Sequence, residues 1–191
     1  MDIVAYSLLV VAAIIAVYGI LLFNRFVMLK HNVKKAWGNI DVLLKQRHDE
    51  LPKLVAACKE YMKHEQETLE KVINARSQVA SAREKSDVAG LGAAETMLRA
   101  GLGQLFALVE NYPDLKANES FQQLQSRITG LENAIADRRE FYNESVNVNN
   151  VGIEQFPGNI VADKFGFEAF GLLKFIDSEK TDVDVQGLFQ S

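Results

Sequence analysis

The sequence has little of several residue types on which enzymes and secreted proteins depend. Its 191 residues include one cysteine, Cys58, three prolines and three histidines. A single cysteine excludes an intramolecular disulfide and is typical of a reducing compartment, and its neighbours Val55, Ala56 and Ala57 indicate a small core residue rather than a nucleophile. Three histidines, all in the first half of the chain, disfavour a histidine-rich metal centre. A formal net charge of −4 argues against a nucleic-acid binder.

The motifs of nucleotide-binding and hydrolytic enzymes are also missing. The Gly-x-Gly runs at residues 90–92 and 101–103 lack the third glycine and the preceding strand of a dinucleotide site, and no Gly-Lys-Ser/Thr phosphate loop occurs. His64 and Glu65 lack the second histidine that a helical zinc site needs four residues on. Glu60 and His64 form one imperfect half of a di-iron motif without its second half. We predict no catalytic, cofactor-binding or metal-binding residues, and a metal enzyme built on Glu60 and His64 is the catalytic alternative.

Charge is absent from residues 3–23, an apolar run that forms a membrane-spanning helix of roughly 30 Å at ~1.5 Å per residue. A cleavable signal would need a basic n-region, whereas only Met1 and Asp2 precede the run. A buried helix of a soluble domain would show a polar face, and none is present. Residues 1–29 are therefore predicted to be a transmembrane anchor and its juxtamembrane segment.

The charges that flank this run predict its orientation. Asp2 is the only charged side chain before it, and the basic residues Arg25, Lys30, Lys34 and Lys35 follow with no acidic residue until Asp41. The positive-inside rule then places the N-terminus outside and the bulk of the chain in the cytoplasm. The same four basic residues are predicted to contact anionic headgroups at the membrane surface, and the alternative is that they determine topology alone.

Apolar residues after the run recur at steps of three, four and seven, and no strand-type alternation occurs. We predict an all-α fold in which residues 30–166 form a long antiparallel, coiled-coil-like helical bundle. Pro52 predicts a kink near Glu50 and Leu51 or two helices meeting there. A loop is expected over residues 85–92, a second helix over residues 93–111, and a third long helix whose inward face extends to Phe156.

The end of the chain is predicted to leave the bundle. Asn159 is expected to cap a short helix that Gly166 closes. Residues 167–191 then carry several aromatic and aliphatic residues among acids and glycines. This tail either docks by inserting its aromatic side chains or is disordered in isolation.

Polar residues on the apolar helices suggest specific pairings. The third helix carries Asn143, Asn147 and Asn150 on one face, and Asn32 and Asn39 share a face of the first helix. If these faces meet, hydrogen bonds between the amides would fix the helix register, as a buried asparagine does in coiled coils. Glu132, Arg138 and Arg139 are expected to pair with charged residues of the earlier helices by the same reasoning, a solvated face being the alternative. The charged residues of the earlier helices that could pair with them are Arg47, Glu65, Arg76 and Glu110.

Several unusual motifs carry a resemblance to a known family. They are Asn32 and Asn39, RHDELPKLV at residues 47–55, Tyr61 with His64 and Glu65, ENYPDLKA at residues 110–117, RREFYN at residues 138–143 and IEQFP at residues 153–157. With these motifs the chain resembles the LemA family of bacterial membrane proteins, from the apolar run to about residue 170. At Lys30-His31-Asn32 and Phe141-Tyr142-Asn143 it departs from the family's usual Tyr-Asn and Arg-Tyr-Asn but keeps the asparagines.

The resemblance implies an N-terminal anchor, an antiparallel bundle with one very long helix pair and no established enzymatic activity. Family genes often neighbour those of HtpX-like membrane metalloproteases, which implies such a protease as a candidate partner. We therefore predict a non-catalytic inner-membrane scaffold or adaptor that self-associates, with the lipid bilayer as its other partner and membrane-protein quality control or envelope stress as its candidate role. Ala12, Ala16 and Gly19 would permit close approach of two spans. A lipid-surface-binding or membrane-remodelling protein is the alternative function.

Overall fold

The computed structural model describes residues 3–175, which form helices joined by short turns and, after the last helix, an extended segment. The helices are α1 (Ile3–Tyr61), α2 (Gln66–Glu84), α3 (Val88–Val109), α4 (Pro113–Lys116), α5 (Glu119–Glu154) and α6 (Gly158–Phe165). No strand occurs among the described residues. The predicted all-α fold is confirmed.

The first part of α1 is a candidate membrane span. Within the described residues, α1 is the one helix that is long and apolar enough to cross a bilayer. Large apolar side chains such as Leu8, Ile14 and Ile20 are exposed along it, so they do not pack on the rest of the protein. A helix that is apolar all round and left exposed is suited to a lipid environment.

The chain divides into two compact units. Unit 1 contains residues 1–50 and 125–172, so its described part holds α1 up to Glu50, α5 from Gln125, and α6. Unit 2 contains residues 51–124 and 173–191, whose described part holds the end of α1, α2, α3, α4 and the first turns of α5.

In unit 1, α1 and α5 pack as an antiparallel pair. The Trp37 and Tyr142 rings lie with their centroids 5.5 Å apart. Nearer the candidate span, a Cβ added to Gly152 of α5 would lie 3.2 Å from Cδ1 of Leu29, so α5 comes close to α1 there. Apolar side chains form a core at this end of the unit: Phe26, Leu29, Ile153 and Ala162, with Leu22, Val161 and Phe167 at its edge.

In unit 2, α2 and α3 form a helical hairpin. Asp87 is the N-cap of α3, and its side chain accepts a hydrogen bond of 2.9 Å from the backbone N–H of Gly90. Further along, Gly101 lies against α2, where an added Cβ would be 3.4 Å from Cγ2 of Val72. At the end of the unit, Asn118 precedes α5 and accepts a 3.0 Å hydrogen bond from the N–H of Phe121.

The structure corrects several predicted boundaries. Helix α1 continues through Pro52, so two helices do not meet there, and the chain breaks only after Tyr61. The buried side chains of Leu51 and Leu54 hold that part of α1 in place. The expected loop over residues 85–92 is short, because α3 already begins at Val88.

Predictions at the other end of the chain have mixed outcomes. The predicted short helix is α6, and Gly166 ends it in a left-handed conformation with φ of 68°. Pro157, and not Asn159, occupies the N-cap position of α6, but the Asn159 Oδ1 accepts a 2.9 Å hydrogen bond from the N–H of Ile160 in the first turn. Phe156 is 80% exposed rather than inward-facing, since α5 ends at Glu154.

Candidate functional site

The most specific polar arrangement in unit 1 holds an extended segment, residues 167–172, against α5. The Asn150 amide Nδ2 donates to the backbone carbonyl of Phe170 at 2.9 Å, and its Oδ1 accepts from the N–H of Phe170 at 3.0 Å. Asn150 therefore pairs with both backbone groups of one residue, as a neighbouring strand would. Both hydrogen bonds go to backbone groups of Phe170, so they do not depend on which side chain residue 170 carries.

Two further side chains of α5 bind the same segment. The Tyr142 hydroxyl donates to the carbonyl of Gly171 at 2.9 Å, and the buried Asn149 donates to the carbonyl of Glu168 at 3.4 Å. Burial raises the pKa of Tyr142, so its hydroxyl stays protonated and keeps its role as donor at physiological pH. The beginning of the predicted tail is thus docked, and residues 176–191 lie outside the described part of the chain.

An open acidic groove adjoins this segment on α5. It has a volume of about 760 Å³ and is lined by Asp137, Glu140, Phe141, Asn143, Glu144, Asn147 and Leu172. Three of these are carboxylates and none is basic, and Phe141 is 54% exposed. The groove combines negative charge with an exposed ring, which suits lysine or arginine side chains with apolar stems.

Two ion pairs cross between α1 and α5 in unit 1. The Arg47 guanidinium donates to the carboxylate of Glu132, and Arg47 is only 1% exposed. The exposed Arg127 lies 3.3 Å from the buried carboxylate of Glu50. The predicted charged pairing is confirmed for Arg47 with Glu132, and both pairs fix the register of the two helices.

The structure places the predicted asparagines in different environments. Asn32, Asn39 and Asn147 are exposed, whereas Asn143 and Asn150 are half-buried. The partner of Asn150 is the extended segment, and hydrogen bonding between the two asparagine faces stays a prediction. Sequence reasoning missed Asn149, although it follows Tyr142 by seven residues and so shares the apolar face of α5.

The predicted membrane-surface residues Arg25, Lys30, Lys34 and Lys35 are all exposed on α1. At ~1.5 Å rise per residue, Arg25 lies ~3 Å, Lys30 ~10 Å and Lys35 ~18 Å beyond Phe23, the last residue of the apolar run. The first two are therefore nearest the headgroup layer, and the others extend past it.

The residues weighed for catalysis show no shared site. Glu60 and His64 are both exposed, and within residues 3–175 no three His, Cys, Asp or Glu side chains are grouped so that they could hold a metal ion. Cys58 is buried, and desolvation raises the pKa of its thiol to about 11. It is therefore a core residue, as predicted, since a reactive cysteine would have a lowered pKa.

Comparison with known proteins identifies relatives along nearly the whole chain. The magnetosome protein MamQ 2 of Paramagnetospirillum magneticum is 24% identical over 96% of this chain and 76% of its own length. The protein LemA of Metamycoplasma hominis is 27% identical over 86% of this chain and 74% of its own length. The model of the LemA family matches residues 36–186, which include the later part of α1 and the whole of α2, α3, α4, α5 and α6. With a match over most of its length, the chain belongs to the LemA family.

Proposed function

We propose that this protein is a non-catalytic scaffold of the bacterial inner membrane that self-associates side by side through unit 1. The candidate span anchors it, the N-terminus lies outside, and the bulk of the chain lies in the cytoplasm. The basic residues that follow the span support this orientation. Membership of a family with MamQ and LemA proteins supports a membrane-associated role.

The observation that carries the proposal is a separation of charge between α1 and α5. Residues 29–39 of α1 include three exposed lysines, Lys30, Lys34 and Lys35, and no acidic residue. Residues 140–150 of α5 include the exposed carboxylates Glu140 and Glu144 and no basic residue. The contact between Trp37 and Tyr142 pairs these two stretches, so they lie at the same height above the span.

Anchoring in a membrane would allow the basic surface of one copy to meet the acidic surface of another. Copies in one bilayer share an orientation, so surfaces at equal height meet when two copies approach. The lysines of one copy can then lie against the acidic groove of its neighbour. Such a contact joins two different surfaces and can repeat from copy to copy, which builds a ring or an open array.

Cysteine crosslinking tests this contact in the full-length chain. In a Cys58→Ala background, Lys35→Cys and Glu144→Cys are introduced into separately tagged copies, which are co-expressed and oxidised in intact membranes. We expect the mixed crosslink to exceed either like-with-like crosslink, and high salt to weaken it because the contact is exposed and ionic. The matched control is Asn133→Cys, an exposed position of α5 outside the groove.

Two other outcomes would contradict the proposed self-association, and a third would identify the pathway in which the scaffold acts. Equal yields from all pairs would contradict a specific contact, and a monomer by light scattering in detergent at several concentrations would contradict self-association. Co-purification of an HtpX-like membrane metalloprotease with the crosslinked protein would place the scaffold in membrane-protein quality control.

The alternative function is lipid binding or membrane remodelling at the bilayer surface. The exposure of Arg25 and Lys30 close to the end of the apolar run favours it. In that case, Arg25→Gln with Lys30→Gln would reduce the preference of the reconstituted protein for anionic lipids, and Lys34→Gln with Lys35→Gln would leave that preference unchanged. In the crosslinking experiment with Lys35→Cys, the scaffold proposal expects Lys34→Gln to lower the yield of the mixed crosslink more than Arg25→Gln does.

A further inference from the structure

Three apolar side chains are left exposed in and just before α6. Phe156, in the turn after α5, is 80% exposed, Ile160 is 58% exposed and Phe165 is 56% exposed. They come from a stretch of ten residues, and each keeps more than half of its surface exposed. Grouped exposed apolar side chains mark a contact with another apolar surface.

This group lies beside the end of the candidate span. The Phe165 and Phe167 rings pack edge-on against Phe23, with centroid distances of 5.0 and 5.6 Å. Phe167 also lies 5.4 Å from the ring of Phe26. Phe23 is the last residue of the apolar run, so α6 packs against α1 at the end of the span.

The absence of a side chain at Gly158 allows the beginning of α6 to pack closely against α1. A Cβ on Gly158 would lie 2.9 Å from Cζ of Phe26 and 2.8 Å from the carbonyl oxygen of Gly152. A larger residue would therefore push the beginning of α6 off α1. Close packing at this position keeps Phe156 and Ile160 near the same level of α1 as Phe26.

That level corresponds to the lipid headgroups. Phe26 is three residues past Phe23, or ~5 Å along the helix axis. The headgroup region adds roughly 5–8 Å to each side of the hydrocarbon core, so α6 lies within it when the span is in place.

We propose that α6 and the turn before it form a second, interfacial membrane contact, in which Phe156, Ile160 and Phe165 insert at the boundary between headgroups and acyl chains. A short helix with an apolar face can lie in this plane. The charged residues of α6, Asp163 and Lys164, are exposed and of opposite sign, so the contact does not require anionic lipid. The inference depends on the anchor of the proposed function, but not on self-association.

Tryptophan quenching by brominated lipid tests the contact. The full-length chain is reconstituted in zwitterionic vesicles as three single-tryptophan proteins: the parent with Trp37, and Phe156→Trp and Tyr18→Trp, each in a Trp37→Phe background. We expect shallow bromines to quench Trp at position 156 roughly twofold or more, because an interfacial side chain reaches the first acyl carbons. Deep bromines should quench position 18 more strongly, and Trp37, ~21 Å past Phe23, should not respond.

The reporter at position 18 distinguishes failure of the interfacial contact from failure of the membrane anchor. Quenching at position 18 without quenching at position 156 overturns the interfacial contact and leaves the anchor standing, whereas quenching at neither position overturns both. Ile160→Trp is a second reporter and should respond as position 156 does. A Phe156→Cys variant that crosslinks efficiently between copies, together with an unquenched position 156, would show a protein cover and overturn the lipid contact.

Discussion

Gly92 of α3 lies against the backbone carbonyl of Lys174, so closely that a Cβ on Gly92 would overlap that oxygen. Both residues belong to unit 2, where Leu173 and Phe175 are buried on either side of Lys174. The Phe175 ring also lies 5.6 Å from the guanidinium carbon of Arg99. The absence of a side chain at residue 92 is therefore a condition for this segment to dock on α3.

Gly92→Ala should displace residues 173–175 and destabilise the protein by about 1–3 kcal/mol, the usual cost of overpacking. Gly103→Ala is the matched control in the same helix, because nothing lies within 4 Å of its added Cβ. It should stabilise α3 by about 0.5–1 kcal/mol through helix propensity. Thermal unfolding in detergent measures both changes, and midpoints that move in the same direction would contradict the predicted overlap.

Asn150→Ala should loosen residues 167–172 without unfolding α5. The substitution removes a donor and an acceptor from Phe170, which should lower the free energy of local opening by about 1–3 kcal/mol. Hydrogen exchange of the Phe170 amide reports this directly and should become about tenfold faster or more. Asn147→Ala, at an exposed position of the same helix, should leave that exchange rate unchanged.

Removing Glu132 should destabilise unit 1 strongly, because Arg47 would keep its charge in a buried position. We expect Glu132→Ala to cost about 3–5 kcal/mol in unfolding free energy. The double variant Arg47→Met with Glu132→Leu should recover much of that loss, since neither charge of this pair remains. Chemical denaturation provides the comparison, and a double variant as unstable as the single one would contradict this account.

The exposed pair of Glu67 and Lys71 is the control for that experiment. Their charged atoms lie 2.8 Å apart on α2, and the Lys71 ammonium lowers the pKa of Glu67 by hydrogen bonding and by its charge. Lys71→Ala should not move the denaturation midpoint measurably, because solvent screens an exposed ion pair.

Cys58 should make stability depend on pH in the alkaline range. The folded pKa is about 11, above the unfolded value of 9.0, so the unfolded chain loses its thiol proton first. The contribution of Cys58 is therefore complete below pH 9.0 and is lost as the pH rises toward about 11. Unfolding of wild type and Cys58→Ala, compared at each pH, isolates this group, and a constant difference between them would contradict a raised pKa.

The sequence predicts the helices well because apolar spacing reports burial directly. Val33, Ile40 and Leu44 of α1 follow the steps of three, four and seven that predict one apolar face, and all three are buried. The break after Tyr61 was missed, since local propensity pointed to Pro52 and the packing of Leu51 and Leu54 overrides the lost hydrogen bond.

The candidate site was less predictable because its contacts join helices to an extended segment. The asparagine pattern on α5 is visible in the sequence, yet periodicity only compares residues within one helix. It could not show that Asn150 binds Phe170, which lies 20 residues further along the chain. The exposure of Phe156 likewise depends on where α5 ends, and helix ends are set by backbone packing rather than by apolar spacing.

Helix α1 continues without a break from the candidate span into the part of the helix that packs against α5. Each residue of a helix turns the chain by about 100°, so a single residue inserted near Asn24 would re-aim every side chain of α1 beyond it relative to those in the bilayer. A neighbouring protein that binds one side of the span therefore determines in which direction, within the plane of the membrane, the lysines of α1 point.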